Sequence, residues 1–267
     1  MKLHLIYPHN QVIPDELEYL FDVVKQVADY FFHENINFYI TNNPDLKLQT
    51  ENNIIFLSGQ EKTSILSSNN FKLCFNNFYR YNEDKRYVPF PLGNNKFINL
   101  NIFKHEPIDF WKREFDVFFA GFIHESRLIF KNAIEKLNCK KYIHYTSRNN
   151  IQNFSEDLNP DQYINILKNS KIVLAPRGAY HCTSYRYFES FYFQNILIYE
   201  KSHNEEIYLL DNFTNKFCIN DWNNLNEDMI KSLIKDFDAE KQKKEYQDKI
   251  SKHSIIDFVI KKIKSSL

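Results

Sequence analysis

Residues 170–189 read SKIVLAPRGAYHCTSYRYFE. Ile172-Val173-Leu174-Ala175 is a short, wholly apolar run of the kind buried on both faces of a parallel sheet. Pro176-Arg177-Gly178 ends it. Thr183 or Ser184 can cap a following helix, because a side-chain oxygen there accepts a free first-turn N–H. On that helix Tyr185, Phe188 and Tyr192 lie along one line, and Tyr187 and Phe191 widen the apolar face. Arg186 and Glu189 share the narrow face that remains. Ionised groups on so apolar a helix are costly unless paired or liganded. One reading is an intrahelical pair worth about 0.2–0.5 kcal/mol. The other is a nucleotide clamp, in which Arg186 or Arg177 meets a pyrophosphate and Glu189 accepts from a ribose diol.

Working outward, apolar runs alternate with amphipathic stretches. Strands are expected at 2–7, 36–41, 53–57, 115–120, 142–147, 171–175, 196–199 and 217–220. Helices are expected at 15–34, 125–137, 160–169 and 183–194, with Pro160 suited to a first helical position. Residues 71–92 read as irregular, broken by Pro89 and Pro91. Residues 226–267 read as helical. Their lysines, interleaved with acids, suit either a closing helix with a solvated face or peripheral contact with anionic lipid. Strand–helix alternation with short links predicts parallel α/β sheets. The charged run with Pro107 sets a boundary: an acceptor-side domain at 1–108 and a nucleotide-binding domain at 109–267.

Composition narrows function by exclusion. Lys and Arg total 34, as do Asp and Glu, so no global field draws the chain to nucleic acid. Only four glycines occur, Gly59, Gly93, Gly121 and Gly178, which rules out a P-loop or a GxGxxG fingerprint. The four cysteines form no CxxC pair, so no zinc site or disulfide framework is expected, and no metal or bound cofactor with it. The first residues read as neither a signal peptide nor a spanning helix, and a cytoplasmic protein is expected.

Scarcity makes Gly121 informative. It ends the run Phe118-Phe119-Ala120-Gly121, at the C-terminal strand end where parallel α/β sheets bind ligands. Arg127 follows in the first turn of the next helix, where the helix dipole disfavours a cation. Either an anion sits at that N-terminus, or Arg127 pairs with Glu125 or another surface carboxylate.

The second half resembles the exostosin-type glycosyltransferases of the GT-B fold. Phe119-Ala120-Gly121 with Arg127 is similar to that family's strand-end glycine and helix arginine. Tyr163, Leu167, Ser170-Lys171, Pro176-Arg177-Gly178, Ser184, Arg186, Glu189 and Ile196-Leu197-Ile198 follow its longer motif in order. The match covers residues 113–222 and lacks the family's Gly and Pro around Asn195–Ile198. The resemblance implies two Rossmann-like domains with parallel sheets facing a cleft, the N-terminal one small. It implies a nucleoside-diphosphate sugar as donor, with Gly121, Arg127, Arg177, Gly178, Ser184, Arg186 and Glu189 as the donor set. Glu189 would contact the ribose, and Arg127 and Arg186 the phosphates. Metal-independent, inverting transfer to a glycan or lipid-linked acceptor in surface polysaccharide synthesis is the activity expected. A general base from the first domain is required, with His9 first and Glu16 and Asp15 behind it. His124 and His181 flank the donor motifs. A second reading is a non-catalytic nucleotide-binding partner in a polysaccharide pathway.

Overall fold

A computed structural model of the 267-residue chain describes residues 2–6, 18–41, 43, 45–49, 52–57, 66–76, 84–90, 102, 104–123, 125–146, 158–177, 185–200, 214–249 and 251–267. The first half holds β1 (Lys2–Ile6), α1 (Glu18–Tyr30), β2 (Asn37–Thr41), β3 (Asn53–Leu57), β4 (Leu73–Asn76) and β5 (Tyr87–Pro89). The second holds β6 (Phe115–Phe122), α2 (Leu128–Lys136), β7 (Lys141–Thr146), α3 (Pro160–Lys168), β8 (Ser170–Ala175), α4 (Tyr185–Tyr192), β9 (Ile196–Glu200) and β10 (Lys216–Ile219). Helices α5 (Glu227–Lys235), α6 (Ala239–Lys249) and α7 (Lys252–Lys264) follow.

Two five-stranded parallel sheets result. The first runs β1-β2-β3-β4-β5; the second runs β10-β9-β8-β6-β7. Central strands are buried on both faces, which is why they read as unbroken apolar runs. In the first sheet Phe38, Ile54, Phe56 and Phe75 face α1 and α7, while Ile55, Leu57 and Cys74 face Leu46, Leu66 and Phe71. In the second, Val117, Phe119, Ile172 and Ile198 pack on α2 and α5, and Phe118 and Val173 pack on α3.

Strands β4 and β5 correct the irregular reading of 71–92. β4 is buried at all four residues, and β5 lies at the sheet edge. A proline lacks a ladder donor, so Pro89 is tolerated there at the end of an edge strand. The expected helical stretch 226–267 is three helices, capped by Asn226 at α5 and Ser251 at α7.

Helix α7 returns to the first half. Its Ile255, Ile256, Val259 and Ile263 are buried in one apolar cluster with Leu20, Val24 and Val27 of α1. Lys252 pairs with Asp22, and the Lys264 ammonium donates to the Tyr30 hydroxyl. The same cluster continues into Tyr187, Phe188 and Phe191 of α4. Among the described residues, no helix is long and apolar enough to cross a membrane.

Candidate functional site

In the second sheet the winding reverses once, between β6 and β8. Chain order proceeds outward from β6 to β7 on one side and from β8 to β10 on the other. Helices α2 and α4, which follow β6 and β8, pack on opposite faces of the sheet, the arrangement in which parallel α/β sheets bind ligands beyond the carboxyl ends of the two strands. Gly121, Pro176 and Arg177 stand there.

Gly121 is required by its neighbour. A Cβ at this position would collide with the guanidinium of Arg186. That guanidinium donates through Nη2 to the Ala120 carbonyl, and its Cζ lies 4.9 Å from the centroid of the Phe119 ring. The cation therefore reaches from α4 across to the end of β6, supported by a carbonyl and an aromatic face.

Glu189, one turn further along α4, has no exposed surface. Its Oε2 accepts from the Tyr163 hydroxyl of α3 at 2.6 Å. Burial pushes the Tyr163 pKa well above its ordinary value. The Glu189 carboxylate raises it further and Arg186 opposes the rise. Tyr163 is thus a neutral, permanent donor to this carboxylate.

Arg127 bonds to backbone carbonyls. It stands at the junction between the turn Glu125–Arg127 and α2, and is 9% exposed. Nε and Nη2 donate to the Arg177 carbonyl at 2.8 and 2.5 Å, and Nη1 to the Phe122 carbonyl at 2.8 Å. Nη2 also reaches the Pro176 carbonyl at 3.4 Å. These bonds join the end of β6 to the end of β8, across the point of reversal. Bound to carbonyls in this way, the side chain ties the two strand ends together.

Arg177 differs. Its Nε pairs with Glu200 Oε1 at 2.6 Å, and its side chain is 29% exposed. Among the described residues its Nη1 and Nη2 carry no hydrogen bond. At these strand ends Arg177 therefore keeps two nitrogens that, among the described residues, donate to no carbonyl or carboxylate.

A further arginine closes the opposite end of β6. Arg113 is 4% exposed and donates to the carbonyls of Ile108, Ser170, Phe193 and Gln194 at 2.7–3.1 Å. Burial pushes its pKa down to about 10, still far above neutrality, so it stays charged. Gln194 beside it has φ of 57°, the left-handed conformation that ends α4. Gly is the usual residue in that conformation.

Of the residues singled out in the sequence, Gly121, Arg127, Arg177 and the Arg186 guanidinium stand at adjacent strand ends, and Glu189 lies buried one turn along α4. Sequence reading missed Tyr163 as the partner of Glu189, and Glu200 and Arg113 altogether. Glu200 had a signal, being an acid that closes the apolar strand ILIYE. His9, Asp15, Glu16, His124, Gly178, His181 and Ser184 lie outside the described residues. Among the described residues, no group of three His, Cys, Asp or Glu side chains is arranged to hold a metal ion.

Two parallel sheets in one chain define a fold of the GT-B type. A glycosyltransferase from Rickettsia africae ESF-5 is similar over 99% of this chain and 97% of its own, at 12% identity and a TM-score of 0.50. The DNA-modifying enzyme beta-glucosyltransferase is similar over 98% and 96%, at 12% identity and a TM-score of 0.48. The wall teichoic acid polymerase TagF is similar over 99% of this chain at 8% identity and a TM-score of 0.34. No family model matches the chain, and no curated protein matches it. None of these likenesses singles out the exostosin-type enzymes.

Proposed function

We propose that the protein is a glycosyltransferase that seats a nucleoside-diphosphate sugar beyond the carboxyl ends of β6 and β8. The reading is carried by one observation: three arginines from different elements, Arg127, Arg177 and Arg186, meet at the single reversal point of the second sheet. The GT-B-type fold supports it.

In this reading the diphosphate is taken by Arg177, and the N-termini of α2 and α4 add partial positive charge without a metal ion. Arg127 holds the two strand ends in register. Glu189 accepts from the ribose diol. Because its carboxylate has no exposed surface, the side chains above it must move aside as the ribose enters. The acceptor is a glycan or lipid-linked chain in polysaccharide synthesis. A base in the first half, His9 or Glu16, removes its proton as the anomeric centre inverts.

A thermal-shift panel of nucleoside diphosphates and sugar nucleotides tests this. A ligand at 100 times its Kd adds about 2.7 kcal/mol of stability. For a chain of this size that is a rise of several degrees, at roughly 2–4 °C per kcal/mol. If no nucleotide raises Tm, the reading fails. If one does, Glu189→Ala should abolish the rise. Slow hydrolysis of the same sugar nucleotide then marks a transferase, whereas binding without hydrolysis marks a non-catalytic partner.

A further inference from the structure

Glu200 ends β9 with a carboxylate whose two oxygens are both engaged. Oε1 accepts from Arg177 Nε at 2.6 Å. Oε2 accepts from Trp222 Nε1 at 2.9 Å and from the Arg177 backbone N–H at 3.3 Å. Trp222 follows β10 in a short turn, is 4% exposed, and sets its ring against Phe130 of α2 at 4.6 Å. The indole is fixed by packing, so it fixes the carboxylate. The carboxylate in turn holds the guanidinium by its Nε edge and, among the described residues, leaves the Nη edge without a hydrogen bond.

Arg127 acts on the same residue from the other side, through the Arg177 carbonyl. Arg177 is therefore held at its side-chain nitrogen and its amide by Glu200 and at its carbonyl by Arg127, two residues from different elements. A surface arginine carries rotamer entropy that an anion must remove on binding. Folding has already removed much of it here. A carboxylate is a poor companion for an anion site, since it weakens the local positive potential. Its presence makes sense if orientation of the fork is worth more than the charge it cancels.

Building on the donor reading above, we propose that Glu200 and Trp222 are a positioning pair that presents the open Nη edge of Arg177 to the diphosphate. Arg177 touches the ligand; Glu200 and Trp222 act through it. The arrangement spans the turn after β10, β9 and β8, so it links three strand ends of the second sheet to one anion.

The test is titration calorimetry of the full chain with inorganic pyrophosphate and the common nucleoside diphosphates, with the matching nucleosides measured by saturation-transfer NMR. The wild type should bind pyrophosphate, and Arg177→Gln should abolish that binding. Glu200→Gln should weaken pyrophosphate about tenfold, the scale of one charge-assisted hydrogen bond. Trp222→Phe keeps the ring on Phe130, removes only the N–H donor, and should weaken pyrophosphate about threefold. Nucleoside affinity should be unchanged in both, which a loss of site structure would not spare. The chain has two tryptophans, so in a Trp111→Phe background Trp222 is the sole reporter. Its emission should respond to pyrophosphate, and Glu200→Gln should erase the response. Should Glu200→Gln not fold, Trp222→Phe and the Trp222 emission decide the matter. Unchanged pyrophosphate affinity in the Glu200 and Trp222 variants, or an equal loss of nucleoside, overturns the positioning pair. A wild type that binds a nucleoside diphosphate but not pyrophosphate also overturns it while leaving the donor reading in place. Pyrophosphate binding without any nucleotide binding supports the pair and sinks the donor reading.

Discussion

The two sheets have the same strand number and direction, yet they are wound differently. The first adds each strand beside the last, β1 to β5, and never reverses. The second reverses at β6 and so opens a crevice between β6 and β8. Burial follows a similar plan in both, with apolar residues on each face. What separates them is charge. The second sheet carries buried arginines at both ends of β6, Arg113 and Arg127, each spent on backbone carbonyls. Among the described residues of the first half, Arg86 lies at the surface with a side chain 38% exposed, paired with Asp84 and donating to the Asn69 carbonyl. Arg127 meets the carbonyls of Phe122, Pro176 and Arg177 at the carboxyl ends of β6 and β8, and Arg113 meets those of Ser170, Phe193 and Gln194 at the other end of β6.

The largest effect should come from Arg113→Met. Four carbonyls lose a charged donor inside the second half, and a loss of about 3–5 kcal/mol is expected from the urea midpoint. If the loss is under 1 kcal/mol, the contrast between the sheets is wrong. Gly121→Ala drives a methyl into the Arg186 guanidinium and should cost about 1–3 kcal/mol, with nucleotide-induced stabilisation lost. An alanine tolerated on both counts would mean that Arg186 is free to leave the end of β6. Gln194→Gly relieves a left-handed residue and should stabilise by about 1 kcal/mol in the same unfolding assay. Arg86→Ala, the matched change in the first sheet, should cost less than about 1 kcal/mol, since exposed pairs contribute little. Burial also separates the thiols. Desolvation, with Asp84 adding to it, pushes the Cys74 thiol far above its ordinary pKa inside the first sheet, so it holds no thiolate at neutral pH.

Much of this was legible in the sequence because apolar period and turn chemistry are local. The run Asn53–Leu57 and the strand ending at Ala175 are where the pattern put them, and Pro160 opens α3 as expected. Strands β4 and β5 were hidden because Pro89 reads as a breaker, and only the finished sheet shows that it stands on an edge. The site was legible as residue types at strand ends. Its inner division was not. Arg127, Arg177 and Arg186 look alike in sequence, and their roles are set by which carbonyls and carboxylates the distant strands deliver. The Tyr163 hydroxyl and Glu189 are 26 residues apart, and Arg127 and the Arg177 carbonyl are 50 apart, distances over which no periodic pattern speaks.

The return of α7 to α1 bears on how the chain is made. The Tyr30 and Lys264 partners are 234 residues apart, and Ile255 and Val259 lie in the same cluster as Val24 and Val27. Synthesis runs from the first residue onward, so the first sheet emerges long before the helix that completes its cover. Closing that gap late is costly in chain entropy and slow. The early half must wait with part of its apolar face uncovered until residues 252–264 leave the ribosome. The two halves therefore mature together, and the first cannot finish folding ahead of the second.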